Sequence, residues 1–136
     1  MSSSRQKCCK RVRHPRIPEV VRRWAATTPA WLKVASTTTP VEIDVELGPG
    51  ELHAVALAKE LRADWLLMDD RDGTRLATRG GLRVAGTLAV LEHAAKRNLL
   101  DLPQALERLK LTNFRVAPRL IEAALKRIAA SRATEG

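Results

Sequence analysis

The sequence predicts an α/β protein with a doubly wound, parallel sheet, and three observations support this class. Glu51 follows a Gly-Pro-Gly turn and begins a helix that is apolar nearly all round to Leu61, so we expect it to be covered on several sides. Residues 65–68 form an apolar run that is too short for a helix and is typical of a buried strand. A second short strand over 82–85 again precedes a helix, and this alternation is typical of α/β sheets.

The remaining elements follow from local start and stop signals. Pro18 and Pro103 suit the first turn of a helix, Asp101 is a helix cap, and Gly80-Gly81 ends a helix. Residues 41–47 alternate between apolar and acidic side chains, which also fits an edge strand, but we favour a loop. In chain order we predict helix 17–26, strand 31–35, loop 41–47, helix 51–61, strand 65–68, helix 71–79, strand 82–85, helix 87–98, a helix after Asp101, an extended 114–116 and a last helix from Pro118.

Length and composition predict one domain in the cytoplasm. The chain has 136 residues, of which 45% are hydrophobic, and this length is sufficient for a core. No apolar run is long enough to span a bilayer, and the basic N-terminus lacks the apolar segment of a signal peptide. Cys8 and Cys9 are adjacent, so they are poorly placed to bridge each other, and a reducing compartment fits.

Positive charge is concentrated at the start of the chain. Residues 1–34 hold nine Lys or Arg and one acid, a net charge of +8, whereas the remainder holds fifteen and fourteen, a net charge of +1. We divide the chain into a basic disordered arm at 1–16, a domain at 17–130 and a polar tail at 131–136. The arm attracts nucleic acid phosphates, or else is a solvated tail that binds nothing specific. Its candidate contacts are Arg5, Lys7, Lys10, Arg11, Arg13 and Arg16.

Acidic residues are placed where sites form in α/β sheets. Asp69 and Asp70 directly follow the strand at 65–68, Asp72 comes shortly after, and Glu51 begins a helix. Carboxylates that meet at one edge repel each other, and a hard cation such as Mg²⁺ or Mn²⁺ relieves the repulsion. Alternatively, Glu51 favours the helix dipole and the two aspartates cap the next helix. The sequence has one Phe and three Trp without a basic–aromatic pattern, so base stacking is not predicted.

Three motifs in order resemble the PIN domain family, and in particular its prokaryotic members found beside small antitoxin-like proteins. They are Leu47-Gly48-Pro49-Gly50-Glu51 continuing through Ala54-Val55-Ala56-Leu57-Ala58, then Leu66-Leu67-Met68-Asp69-Asp70, and then Gly81-Leu82-Arg83-Val84-Ala85-Gly86-Thr87-Leu88-Ala89-Val90-Leu91. The resemblance extends from about Ile17 to Ile128.

The resemblance implies a three-layer α/β/α sandwich with a short parallel sheet and an Mg²⁺- or Mn²⁺-dependent ribonuclease of toxin–antitoxin type. Carried over by position, Glu51 is the acid at the helix start, and Asp69 or Asp70 is the acid at the strand end. These three are the metal ligands, Asp72 is a further catalytic candidate, and Thr87 positions the substrate. The implied partners are RNA and a small antitoxin-like protein. A non-catalytic module that binds nucleic acid or protein, or that dimerises, is the alternative.

One feature of the family has no counterpart in this sequence. The family opens with a central strand that ends in a metal-binding aspartate, whereas here no strand pattern precedes Ile17 and Glu19 is the only acid before Glu42. We therefore expect an N-terminally truncated version of the fold with weaker metal binding. We also expect a homodimer or another partner to cover the sheet edge.

Overall fold

The computed structural model describes residues 15–27, 29–39 and 48–135. Within these ranges it contains six helices and one two-stranded sheet. The helices are α1 (Glu19–Ala26), α2 (Pro49–Glu60), α3 (Arg71–Arg79), α4 (Thr87–Lys96), α5 (Leu102–Lys110) and α6 (Pro118–Thr134), and the strands are β1 (Leu66–Leu67) and β2 (Val84–Ala85). The predicted α/β class is confirmed.

The two strands are parallel. The Leu66 N–H donates to the Arg83 carbonyl at 2.8 Å, and the Met68 N–H donates to the Ala85 carbonyl at 3.0 Å. The pairing thus advances by two residues in the same direction on both strands, which is the pattern of a parallel ladder. Helix α3 connects the strands, as a parallel crossover requires.

The residues form two compact units, the first within Met1–Leu66 and Asp70–Val84. In the described part of this unit, α2 packs against α3, and Val55, Ala58 and Ala77 are buried. The Glu60 carboxylate at the end of α2 accepts hydrogen bonds from the segment Thr37–Thr39, including one of 3.0 Å from the Thr38 N–H. The side-chain hydrogen bonds from Thr37 and Thr38, followed by the Thr38 N–H, lower the pKa of Glu60 to about 2.

The second unit comprises Leu67–Asp69 and Ala85–Gly136. Its helices α4, α5 and α6 pack together around a buried cluster of Ala95, Leu102, Leu106, Ala124 and Ile128. The carboxylate of Glu92 is also buried, and it accepts from Arg127 Nε at 2.6 Å and Nη2 at 2.9 Å. These hydrogen bonds lower the pKa of Glu92.

The local signals placed most helix boundaries correctly. Asp70 accepts a hydrogen bond from the Gly73 N–H and caps α3, and Asp101 accepts from the Gln104 N–H and caps α5. Gly81 has a φ of 82°, a left-handed conformation that suits glycine after a helix. The last helix begins at Pro118 as predicted.

Three predictions are wrong in the described residues. Residues 31–35 form no strand, and Trp31 packs instead against Trp24. The strand at 65–68 is not buried, since Leu67 is 67% exposed, and a two-stranded sheet leaves this side chain uncovered. In α2 the buried residues are Val55 and Ala58, because its described packing is mainly to one neighbour, α3. The predicted loop at 41–47 and residues 1–14 of the arm lie outside the described residues.

None of the helices in the described ranges combines the length and the apolar character needed to cross a membrane.

Candidate functional site

Asp69 and Thr87 form the best-defined contact at the end of the sheet. Asp69 follows β1, and Thr87 is the first residue of α4, which begins just beyond β2. The Thr87 N–H donates to Asp69 Oδ1 at 2.7 Å, and the Thr87 hydroxyl donates to Oδ2 at 2.6 Å. Both carboxylate oxygens are thus held by one residue, which orients the side chain at the N-terminal end of α4.

Gly86 permits this close approach between Asp69 and the helix. A Cβ atom at position 86 would lie 2.7 Å from Asp69 Oδ1, which is shorter than side chains tolerate. We infer that the Gly-Thr pair at the start of α4 is required by the bound carboxylate. The parallel pairing of Met68 with Ala85 places the residues that follow these strands side by side.

Asp70 has a different role from Asp69. Its Oδ2 accepts from the Gly73 N–H at 2.7 Å, and its backbone carbonyl accepts from the Thr74 hydroxyl at 2.7 Å. It therefore stabilises the start of α3 in the first unit, whereas Asp69 belongs to the second unit. The two consecutive carboxylates, which the sequence did not distinguish, have separate partners.

Glu51 and Asp72 lie in the first turns of their helices. Glu51 is half-buried in α2, and its carboxylate lies where a Cβ atom on Gly48 would be. Asp72 is exposed in α3 and forms an ion pair with Arg75 at 3.7 Å. Both acids are favourable near the positive end of the helix dipole.

The oxygen ligands suit a hard cation, but they do not converge as a large cluster. In the part of the chain that the structure describes, no group of three or more His, Cys, Asp or Glu is placed to hold a metal ion. Mg²⁺ usually keeps several waters and takes one or two protein carboxylates together with substrate phosphates. The chemistry of Asp69 and Asp70 therefore fits such an ion without a third protein ligand.

Of the basic residues predicted to contact nucleic acid, Arg16 falls in the described part and is exposed. Arg5, Lys7, Lys10, Arg11 and Arg13 lie outside the described residues.

A family model described as a PIN domain matches residues 13–130 of this chain. The chain belongs to the PIN domain family. The resemblance carried by the three sequence motifs is thus confirmed, and the helices with their short parallel sheet are consistent with a small PIN-like fold. PIN domains generally use divalent metal ions, and membership indicates a function related to nucleic acids. Comparisons with curated proteins and with solved structures gave no significant match.

Proposed function

We propose that this PIN domain is a divalent-metal-dependent endoribonuclease in which Asp69 and Asp70 are the central acids. The proposal is supported by the family match over residues 13–130 and, above all, by the fixed Asp69 carboxylate at the end of β1. A carboxylate that is already oriented loses little freedom when it binds an ion or a substrate.

The residues of the chain have distinct roles in this proposal. Thr87 orients Asp69, and each Asp69 oxygen keeps acceptor capacity because an ionised carboxylate offers about four lone-pair sites. Asp70 uses Oδ2 for the α3 cap and offers Oδ1 as a further hard ligand. Glu51 and Asp72 supply additional negative charge from the first turns of α2 and α3.

Mg²⁺ or Mn²⁺ held by these carboxylates would lower the pKa of a bound water and stabilise charge on the phosphate. Thr87 has a second role in keeping the Asp69 carboxylate aligned while substrate enters. We propose RNA as the substrate, with the basic arm up to Arg16 attracting its backbone. A small antitoxin-like partner, a homodimer and a cytoplasmic location stay predictions.

Cleavage of a mixed RNA pool tests the proposal directly. The wild-type chain is assayed with Mn²⁺, with Mg²⁺ and with chelator, beside Glu51→Gln, Asp69→Asn and Asp70→Asn variants. Asp101→Asn is the matched control, because Asp101 caps α5 in the same way as Asp70 caps α3 but lies outside the site. Asn is a good helix cap, so Asp70→Asn removes charge while keeping the fold.

Metal-dependent cleavage that is lost in the site variants and kept in Asp101→Asn is the expected result. A well-folded chain that never cleaves RNA would contradict the enzymatic proposal.

The alternative is a non-catalytic PIN domain that binds nucleic acid or protein. It is favoured by the hydrogen bonds of Asp69 and Asp70, because capping α4 and α3 is a sufficient structural reason for both acids. A melting temperature that does not change with Mn²⁺ would support this alternative, since an ion that binds only the folded chain must stabilise it. Removal of residues 1–16 would then show whether RNA binding depends on the arm.

A further inference from the structure

Two tryptophans form an exposed pair in the first unit. Trp24 lies in α1 and Trp31 follows that helix, and their ring centroids are 6.2 Å apart with an angle of 46° between the planes. Tilted aromatic pairs at this distance attract each other. Trp24 is 46% exposed and Trp31 is 73% exposed, so the pair offers ring surface to solvent instead of filling a core.

Basic side chains lie beside this pair along the chain. Val20 and Trp24 are four residues apart and share one face of α1, so Arg22 and Arg23 project to either side of it. Arg23 pairs with Glu19 at 2.8 Å, whereas Arg22 and Lys33 are exposed. Residues 15–27 and 29–39 contain four Lys or Arg and one acid, a net charge of +3.

An exposed aromatic pair with positive flanks suits an anionic chain that also carries flat, apolar rings. Single-stranded nucleic acid has both properties, because its unpaired bases stack on aromatic side chains while its phosphates attract Lys and Arg. A duplex hides the faces of its bases. An apolar protein surface would cover the rings but would not use the positive charge.

We propose that Trp24 and Trp31 form a stacking platform for the bases of single-stranded nucleic acid, with Arg22 and Lys33 contacting its phosphates. This binding does not need the carboxylates of Asp69 and Asp70. It adds a surface to the predicted basic arm, and it arises from tertiary proximity that the sequence pattern does not reveal.

Fluorescence anisotropy of a labelled oligoadenylate, long enough for one binding site at about ten nucleotides, measures the affinity. The full chain is titrated in chelator, so the result does not depend on metal or cleavage. Trp31→Ala is expected to weaken binding about tenfold through the loss of base stacking, and Trp31→Phe to keep most of the affinity. Trp65→Ala is the matched control, since Trp65 is 50% exposed in the same unit but is stacked with Arg83 at 4.0 Å.

Salt dependence separates stacking from charge. Trp31→Ala should leave the slope of log affinity against log salt unchanged, whereas Arg22→Gln should reduce it by about 0.7 for one lost phosphate contact. Circular dichroism checks that each variant is folded.

Equal affinities of the wild-type chain and Trp31→Ala would overturn the proposal, as would equal losses in Trp31→Ala and Trp65→Ala. A Trp31→Ala variant that changes the sedimentation of the chain but not its affinity for the oligonucleotide would identify a protein interface instead. Because binding is measured in chelator, failure of the ribonuclease proposal leaves this test intact.

Discussion

The ion pair between Glu92 and Arg127 is expected to stabilise the second unit measurably. Glu92 is only 8% exposed in α4 and accepts two hydrogen bonds, at 2.6 and 2.9 Å, from Arg127 of α6. Glu92→Gln removes the charge while nearly keeping the shape. Hydrogen bonds to a charged group contribute about 1.5–3 kcal/mol, and solvent screens this pair because the Arg127 side chain is 54% exposed. We therefore expect a loss of about 1–2 kcal/mol in the free energy of unfolding.

The dependence on pH follows from the lowered pKa of Glu92. Its hydrogen bonds with Arg127 lower the pKa below the ordinary value of 4.5. The stabilisation is therefore fully present above pH 4.5 and is lost as the pH falls through the lowered pKa. The difference in stability between wild type and Glu92→Gln should be constant near neutral pH and shrink under acid conditions.

Urea unfolding followed by far-ultraviolet circular dichroism measures both effects. Glu122→Gln is the matched control, because Glu122 forms an exposed ion pair with Lys126 at 3.3 Å on the same helix as Arg127. Exposed pairs of this kind contribute about 0.3–0.5 kcal/mol. A Glu92→Gln variant no less stable than Glu122→Gln, or a stability gap that persists unchanged into strong acid, would refute the reasoning.

Three further predictions concern caps and turns. Asp70→Ala should lower the free energy of unfolding by about 1 kcal/mol through loss of the α3 cap, whereas Asp70→Asn should stay near wild type in the same urea assay. Gly81→Ala should cost about 1 kcal/mol because residue 81 has a φ of 82°, while Gly50→Ala, with open space around its new Cβ, should not destabilise the chain. Glu60 should titrate near its lowered pKa of about 2 by NMR, so its hold on the Thr38 N–H is present above the ordinary value of 4.5 and lost as the pH falls through about 2. Glu60→Gln should speed exchange of the Thr38 amide, and unchanged exchange would contradict this.

The local elements could be predicted from the sequence because their causes lie within a few residues. Asp101 with Pro103 started one helix, Pro118 started another, and Gly80-Gly81 ended α3. Capping and turn formation depend on neighbouring backbone groups, so short stretches of sequence determine them. The three motifs determined the family in the same way, since their order along the chain is a property of the sequence.

The tertiary structure decided which side chains meet. Asp69 binds Thr87 across 18 residues, and Glu92 binds Arg127 across 35. Trp31, predicted in a strand, packs against Trp24 instead. Local spacing cannot determine such contacts, because they depend on how elements distant in sequence pack. The chain by itself thus determined the fold class and the candidate acids, while the fold separated Asp69 from Asp70 by giving each carboxylate its own hydrogen-bond partners.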